Sequence, residues 1–413
     1  MRGLVLKRVP ARTHKMDNGM SGSRFKLDFA LGEPGSRVRS NRIKAGALVG
    51  LIVGVALTSG AMVGANSNAG PAHVQTAAPF AIPKGLSDHE MAGQRIVAGF
   101  SGTSVPSDVK KAIRSGRLGG IILFADNLPS RSVARSLTRQ LQAIKRPANL
   151  RRYPLPIMID QEGGLVKRLS GAPTVSAEVM GKRGPAASRN QGKQTGRNLK
   201  NAGVNVNLAP VLDVARPGGT IDNDDRGFGS TARAVSRTAI PFTRGMQANG
   251  VAATAKHFPG LGYARLNTDN AVQKIRLSKA ALRRVDEAPY RPFIRAGGGL
   301  VMVGTAIYPA FGGRPASFER RIVTGELRRR LGFEGVTITD SLETVASRAF
   351  GGSKKVSVAG ARAGMDILLF ATIGEAMKGV EAIAERLKSG KLNRAEFEDS
   401  VRRILRLRST FPG

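Results

Sequence analysis

The residues best suited to chemistry in this chain stand where apolar runs end. Val251–Ala255 leads straight into Lys256-His257-Phe258-Pro259-Gly260-Leu261-Gly262, and the polar loop beyond it reaches Asn267-Thr268-Asp269. Leu155–Ile159 is followed by Asp160-Gln161-Glu162-Gly163-Gly164, and Val336–Thr339 by Asp340. A guanidinium comes from the glycine-flanked loop Asp224-Asp225-Arg226-Gly227. Stripping water from a cation, an imidazole and several carboxylates is costly, so a ligand explains these positions better than packing does. Carboxylates and forked donors of this kind suit the hydroxyls of a polyol. Asp340, ending a Val-Thr-Ile-Thr run with no surface to snorkel to, is a candidate catalytic carboxylate. Plainer roles stay open. Arg226 could pair with one of the carboxylates, Lys256 could neutralise a buried acid, and His257 could be satisfied by backbone. Asp213, after Ala209-Pro210, reads as a loop brace.

The elements that must hold these groups are legible as a repeat. Apolar runs fall at Arg95–Phe100, Gly120–Phe124, Leu155–Ile159, Val204–Leu208, Val251–Ala255, Leu300–Val303, Val336–Thr339 and Ile367–Phe370. Helical spacing appears between them, as in Val133, Leu137, Leu141 and Ile144, and after the last in Ala376, Val380, Ile383 and Leu387. Near-continuous apolar strands alternating with amphipathic helices indicate parallel strands buried on both faces. Eight such units over about 320 residues predict an α/β chain folded as a (β/α)8 TIM-type barrel, with its site at the C-terminal strand ends. An open doubly wound sheet is the competing arrangement, but no G-x-G-x-x-G follows the first strand.

Composition narrows the function. The chain has no cysteine, which excludes disulfides, thiolate metal sites and a cysteine nucleophile. Four histidines, at 14, 73, 89 and 257, are too few and too scattered for a histidine-rich metal centre. No metal or cofactor is expected. The 65 Lys and Arg against 29 Asp and Glu give a formal charge of +36, which attracts anionic wall polymers or a membrane surface. With 5% aromatic residues and no basic motif interleaved with aromatics, nucleic acid is not an expected partner. Nothing in the chain points to an oligomeric state.

The N-terminal part differs in kind. Residues 1–44 read as a basic disordered tail, with eleven Lys or Arg against three acids. Residues 45–65 carry no charge and are long enough to span a bilayer, so they read as a membrane anchor or a signal segment. Positive charge ahead of that run places the body outside the cytoplasm. Residues 66–88 read as a linker and 89–413 as the barrel.

Taken together, several motifs resemble those of the bacterial family 3 glycoside hydrolases, specifically the single-domain β-N-acetylglucosaminidases. They are Gly119-Gly120-Ile121-Ile122-Leu123-Phe124, Ile159-Asp160-Gln161-Glu162-Gly163-Gly164, Val204 through Val214, Lys256-His257-Phe258-Pro259-Gly260 and Leu331-Gly332-Phe333-Glu334-Gly335-Val336. The resemblance implies a TIM-type barrel acting on a carbohydrate. It matches Asp340 to the catalytic nucleophile, and Asp160, Arg226, Lys256 and His257 to residues that contact the sugar at the non-reducing end. A retaining hydrolase releasing terminal β-N-acetylglucosamine from cell-wall-type oligosaccharides is the activity it implies.

One departure matters. The family usually continues Phe-Pro-Gly-His-Gly and places an Asp-Ser-His triplet in the next loop, whose Asp-His pair is the acid/base. Here Leu261 replaces the first His and the triplet falls on Asn267-Thr268-Asp269. Asp269 is expected to take over proton transfer, with its pKa raised by burial or by Asp340. If Asp269 instead faces water, the expectation reverses to a barrel that binds sugar without cleaving it. Leu165 stands where Arg is common, and Ser341 and Thr344 replace Asp and Met. The sequence runs only to Gly413 after its eighth strand and helix, so the second α/β domain that supplies the acid/base in the family's β-glucosidases is not expected.

Overall fold

A computed structural model describes residues 80–412. The run at 45–65, the basic tail and most of the linker lie outside the described residues. Among the described residues no helix is long and apolar enough to cross a membrane. Phe80, Ile82 and Leu86, at the end of the stretch read as linker, pack against the core.

Eight strands form one parallel sheet. They are β1 (Ile96–Ala98), β2 (Gly120–Ile122), β3 (Ile157–Ile159), β4 (Val206–Asn207), β5 (Ala252–Phe258), β6 (Leu300–Val303), β7 (Val336–Thr339) and β8 (Leu368–Phe370). From β1 to β7 each pairs with its successor, and β1 pairs with β8 through Ile96↔Leu368. The remaining gap is bridged at Ile338↔Ile367, where Thr339 N–H donates to the Ile367 carbonyl at 3.0 Å. All eight apolar runs are strands.

Alternation along each strand divides the core in two, because successive side chains point to opposite faces. Val97, Ile122, Met158, Val206, Leu300, Met302, Val336, Ile338 and Leu369 fill the barrel interior, joined by Ile404 and Phe411 from the C-terminal end of the chain. Ile96, Ile121, Ile157, Val301 and Leu368 face the other way, into the layer beneath the helices. The helix Arg131–Ala143 buries Leu137 and Leu141 there, and Ile373–Lys388 buries Ala376, Val380, Ile383 and Leu387, as their spacing predicts.

The sequence places the end of the fifth strand at Ala255; in the structure β5 continues to Phe258, with an irregularity in its pairing between Ala255 and Phe258. Lys256 and His257 therefore belong to the strand itself. Paired charges at its upper end, described next, satisfy the polar side chains that the strand carries past its apolar run.

Candidate active site

The six sequence-predicted site residues line one cavity of about 400 Å³, formed by residues at and just beyond the C-terminal ends of several strands. That volume suits a small-molecule site of ~300–1,000 Å³. Asp160, Arg226, Lys256, His257, Asp269 and Asp340 all contribute to its wall. A larger groove of about 1130 Å³ lies elsewhere, between residues 312–321, 350–363 and 382–386, and contains none of them.

The first wall is a buried charge cluster. After β3 the chain forms the hairpin Gln161–Gly163/Val166–Lys167, turned by Gly163 at φ +99°, where a Cβ would collide with the Val175 carbonyl. Gln161 ties the hairpin down by donating to the carbonyls of Leu169 and Ala172. Glu162 consequently turns inward. Arg226 forks onto it through Nε and Nη2, both at 2.9 Å, and Lys256 Nζ bridges Glu162 at 2.7 Å and Asp160 at 2.6 Å. Burial opposes charge on Glu162, but Arg226 and Lys256 outweigh it and hold the carboxyl well below its ordinary range. Burial likewise opposes charge on Lys256, yet Asp160 and Glu162 raise its pKa. Arg226 is raised too, against its own burial, chiefly by Glu162.

The plainer roles of Arg226 and Lys256 are therefore realised in part: both pair with carboxylates and both still line the cavity. Glu162 is committed to these cations through both oxygens, whereas Asp160, half-buried, pairs through Oδ1 only. A polyol would thus meet Asp160 rather than Glu162.

His257 is set by Asp213. The fully buried Asp213 carboxylate accepts the backbone N–H groups of His257 and Leu261 and lies 2.7 Å from His257 Nδ1. With Asp213 accepting, Nδ1 carries the proton, and Nε2 is left as the ring's other polar atom in a cavity-lining residue. Asp213 is the loop brace that its position suggests, and it orients the imidazole as well. The Pro259–Gly262 turn packs close beneath it, since a Cβ at Gly262 would collide with the Val214 carbonyl.

The last wall carries the two acids. Asp340 follows β7, its N–H bonded to the Val303 carbonyl at 3.1 Å and its Oδ1 accepting from Ser341 N–H at 2.8 Å. The loop bearing Asp269 docks on the segment just beyond: Val345 N–H donates to the Asp269 carbonyl at 3.1 Å and Ala346 N–H to that of Thr268 at 3.3 Å. Asn267 locks the tip, donating from Nδ2 to Asp269 Oδ2 and accepting the Asp269 N–H at 3.0 Å. Asp269 is open to solvent at the mouth, not buried as the sequence reading anticipates, while protein on its cavity side desolvates the carboxyl. That desolvation and the nearby Asp340 raise its pKa, and His257, Arg226 and Asn267 pull it back only in part.

Sequence reasoning missed Arg168, which lines the cavity with a buried Nε lacking a hydrogen-bond partner. It stands near the end of the hairpin, past the Gly-Gly signal, with no local pattern to mark it. The orienting roles of Asn267 and Asp213 depend on loop packing and were equally invisible.

The description "Glycosyl hydrolase family 3 N terminal domain" fits residues 90–407, nearly the whole described body. The chain belongs to glycosyl hydrolase family 3. It is a glycoside hydrolase of the β-hexosaminidase-like kind. An uncharacterized secreted glycosyl hydrolase of Arthroderma benhamiae is 39% identical over 329 residues, covering 77% of this chain and 92% of that one. The family 3 β-N-acetylglucosaminidase of a Paenibacillus species superposes with a TM-score of 0.75 at 33% identity, over 79% of this chain and 64% of its own. A β-N-acetylhexosaminidase from Beutenbergia cavernae gives 0.73 at 29% identity, over 78% of this chain and 98% of its own. The family 3 barrel thus accounts for the eight-stranded architecture.

Proposed function

We propose that the protein releases terminal β-N-acetylglucosamine from cell-wall-type oligosaccharides by a retaining, two-step hydrolysis. The observation that carries this reading is the single cavity lined by both Asp340 and Asp269, with the Asp269 carboxyl raised by desolvation and by its acidic neighbour. Asp340 attacks the anomeric carbon while Asp269 delivers its proton to the leaving oxygen, breaking the glycosidic bond and leaving a glycosyl ester on Asp340. Asp269, now ionised, takes a proton from water, whose oxygen displaces Asp340 and restores both acids. Asp160, Lys256, Arg226, His257 and Arg168 hold the ring hydroxyls. Its position at the mouth gives Asp269 access to both the departing group and the incoming water.

A second reading is favoured by one feature. Asp269 is solvent-exposed and partnered by the amide Asn267, so a barrel that binds sugar without cleaving it is the alternative. Aryl β-N-acetylglucosaminide and β-glucoside assays on wild type, Asp340→Ala and Asp269→Ala separate the two. Turnover in wild type that both substitutions abolish supports the hydrolase. Sugar binding with no turnover in wild type supports the alternative.

Export to the cell surface fits the apolar run at 45–65 and the word "secreted" in the name of the Arthroderma relative. Retention beside an acidic wall polymer or membrane is supported by the larger groove, whose lining includes Arg314, Arg320, Arg321, Lys354, Lys355, Arg362 and Arg386 against Glu319 and Glu385.

A further inference from the structure

The described chain begins on a patch that plays no part in the cavity. Phe80 lays its ring against Tyr153, centroids 6.3 Å apart, in the connection that leads from the helix Arg131–Ala143 into β3. This connection meets the N-terminal end of β3, whereas the cavity lies at the C-terminal strand ends. Between Ala143 and Leu155 it carries Lys145, Arg146, Arg151 and Arg152 and no acid. Arg151 and Arg152 line one depression with Pro83, Lys84, Ala148 and Asn149. Arg152 and Arg408 both stand over the Tyr153 ring, at 4.9 and 6.0 Å from its centroid.

The patch is positive without local compensation. Arg408 is buried and has only neutral partners, donating to the Pro154 carbonyl at 2.9 Å, to the Tyr153 carbonyl at 2.7 Å and to the Gln94 side chain. Burial and the charge of Arg146 lower its pKa to about 9, so it stays protonated at neutral pH. Arg146 donates to the Arg151 carbonyl at 3.2 Å, and its buried Nε has no hydrogen-bond partner. The plain explanation is the general basicity of the chain. Yet elsewhere on the surface exposed arginines find acids, as Arg320 does in Glu396 and Arg394 in Asp88, whereas among the described residues Lys84, Lys145, Arg146, Arg151, Arg152 and Arg408 have no carboxylate within salt-bridge distance. Crowded like charges repel one another, and an external anion relieves that cost.

We infer that this patch is where the body rests on an anionic bilayer, with phospholipid phosphates standing in for the missing acids and the cavity opening away from the lipid. The inference rests on the reading of residues 45–65 as a membrane anchor and does not depend on the catalytic reading. Fully extended, the fourteen residues 66–79 span at most about 50 Å, so a bilayer entered by 45–65 lies within that reach of Phe80 and of the patch around it. Each Lys or Arg beside an anionic membrane strengthens attachment by about fivefold.

The test uses the full chain reconstituted in vesicles of phosphatidylcholine and phosphatidylglycerol, about 2:1, and in vesicles of phosphatidylcholine alone. The chain has no cysteine, so Ala148→Cys in the depression and Leu165→Cys at the hairpin tip each carry a single fluorophore, quenched by a lipid spin-labelled at its headgroup. In the anionic vesicles the label at 148 is quenched at least about twofold more than that at 165, and this difference disappears in phosphatidylcholine and in a Lys84→Gln/Arg151→Gln/Arg152→Gln variant whose fold is checked by circular dichroism. Equal quenching of the two labels overturns the inference, as does a difference that survives in neutral lipid or in the variant. If carbonate washing strips the chain from the vesicles, the anchor reading fails separately, and flotation still reads the patch: wild type binds the anionic vesicles at least about tenfold more tightly than the variant, and equal binding overturns the inference. Patch-dependent binding of long-chain inorganic polyphosphate, with no patch-dependent contact to the anionic vesicles, assigns the cations to a phosphate polymer and also overturns it.

Discussion

Replacing Glu162 with Gln removes the charge around which the sugar-side wall is built, and its cost can be worked from the contacts. Glu162 accepts Arg226 Nε and Nη2 at 2.9 Å and faces Lys256 Nζ at 2.7 Å, with all three side chains nearly inaccessible to solvent. Lys256 keeps Asp160 at 2.6 Å, but among the described residues Arg226 has no other carboxylate within salt-bridge distance and is left charged and buried against an amide. Breaking one side of a buried pair costs about 3–5 kcal/mol, and since the amide oxygen still accepts one bond, about 3 kcal/mol is expected. Urea denaturation at neutral pH measures it, with an unchanged m-value showing that the comparison is between like states. A cycle with Arg226→Met should recover at least about 1.5 kcal/mol of coupling. Because the folded pKa of Glu162 lies below its unfolded value, its contribution is fully present above the unfolded pKa of about 4.3 and is lost as pH falls further. The gap between wild type and variant should therefore narrow below about pH 4. A loss under about 1 kcal/mol, or a gap that widens in acid, would refute the view that this cluster is a structural unit.

Other expectations concern the acids. Asp269→Asn should lower kcat/KM for poor leaving groups by about 10²–10⁴ while sparing kcat/KM, though not kcat, for dinitrophenyl glycosides, and should remove the basic limb of the kcat/KM profile, which in wild type lies above the ordinary carboxylate range. Asn267→Ala removes a hydrogen bond that favours the ionised form of Asp269, so that limb should move to higher pH; a shift downward would contradict the geometry. At the opposite end of the barrel, buried Asp366 takes Thr337 N–H and pairs with Arg328 and Arg403, and despite its burial these hold its pKa low. Asp366→Asn should cost about 3 kcal/mol in urea with KM unchanged, and its deficit should shrink as pH falls below about 4.

Much of this was legible in the chain. The eight apolar runs became the eight strands because a parallel strand buried on both faces leaves an uninterrupted apolar signature, and of the six predicted site residues that share one cavity, Asp160, Lys256, His257 and Asp340 stand directly after such a run while Arg226 and Asp269 come from the loops beyond. What could not be read was how polar groups divide between structure and ligand. Asp160 and Glu162 look equivalent in sequence, yet the hairpin turn at Gly163 commits Glu162 to Arg226 and Lys256. Lys256 and His257 read as standing just past a strand that ends at Ala255, because the partners that let the strand continue through them, Glu162 and Asp213, are distant in the chain. The exposure of Asp269 was likewise set by a loop tip that Asn267 turns and the segment after Asp340 supports, a contact with no sequence periodicity.

The most direct measurement is the mass of the peptides recovered after reaction with a fluorinated N-acetylglucosaminide whose glycosyl-enzyme turns over slowly. The account predicts one sugar ester, on the peptide containing Asp340, accumulating further in Asp269→Ala because deglycosylation then lacks its base. An ester on another residue, or complete turnover through an inverted product with no ester at any time, would contradict it.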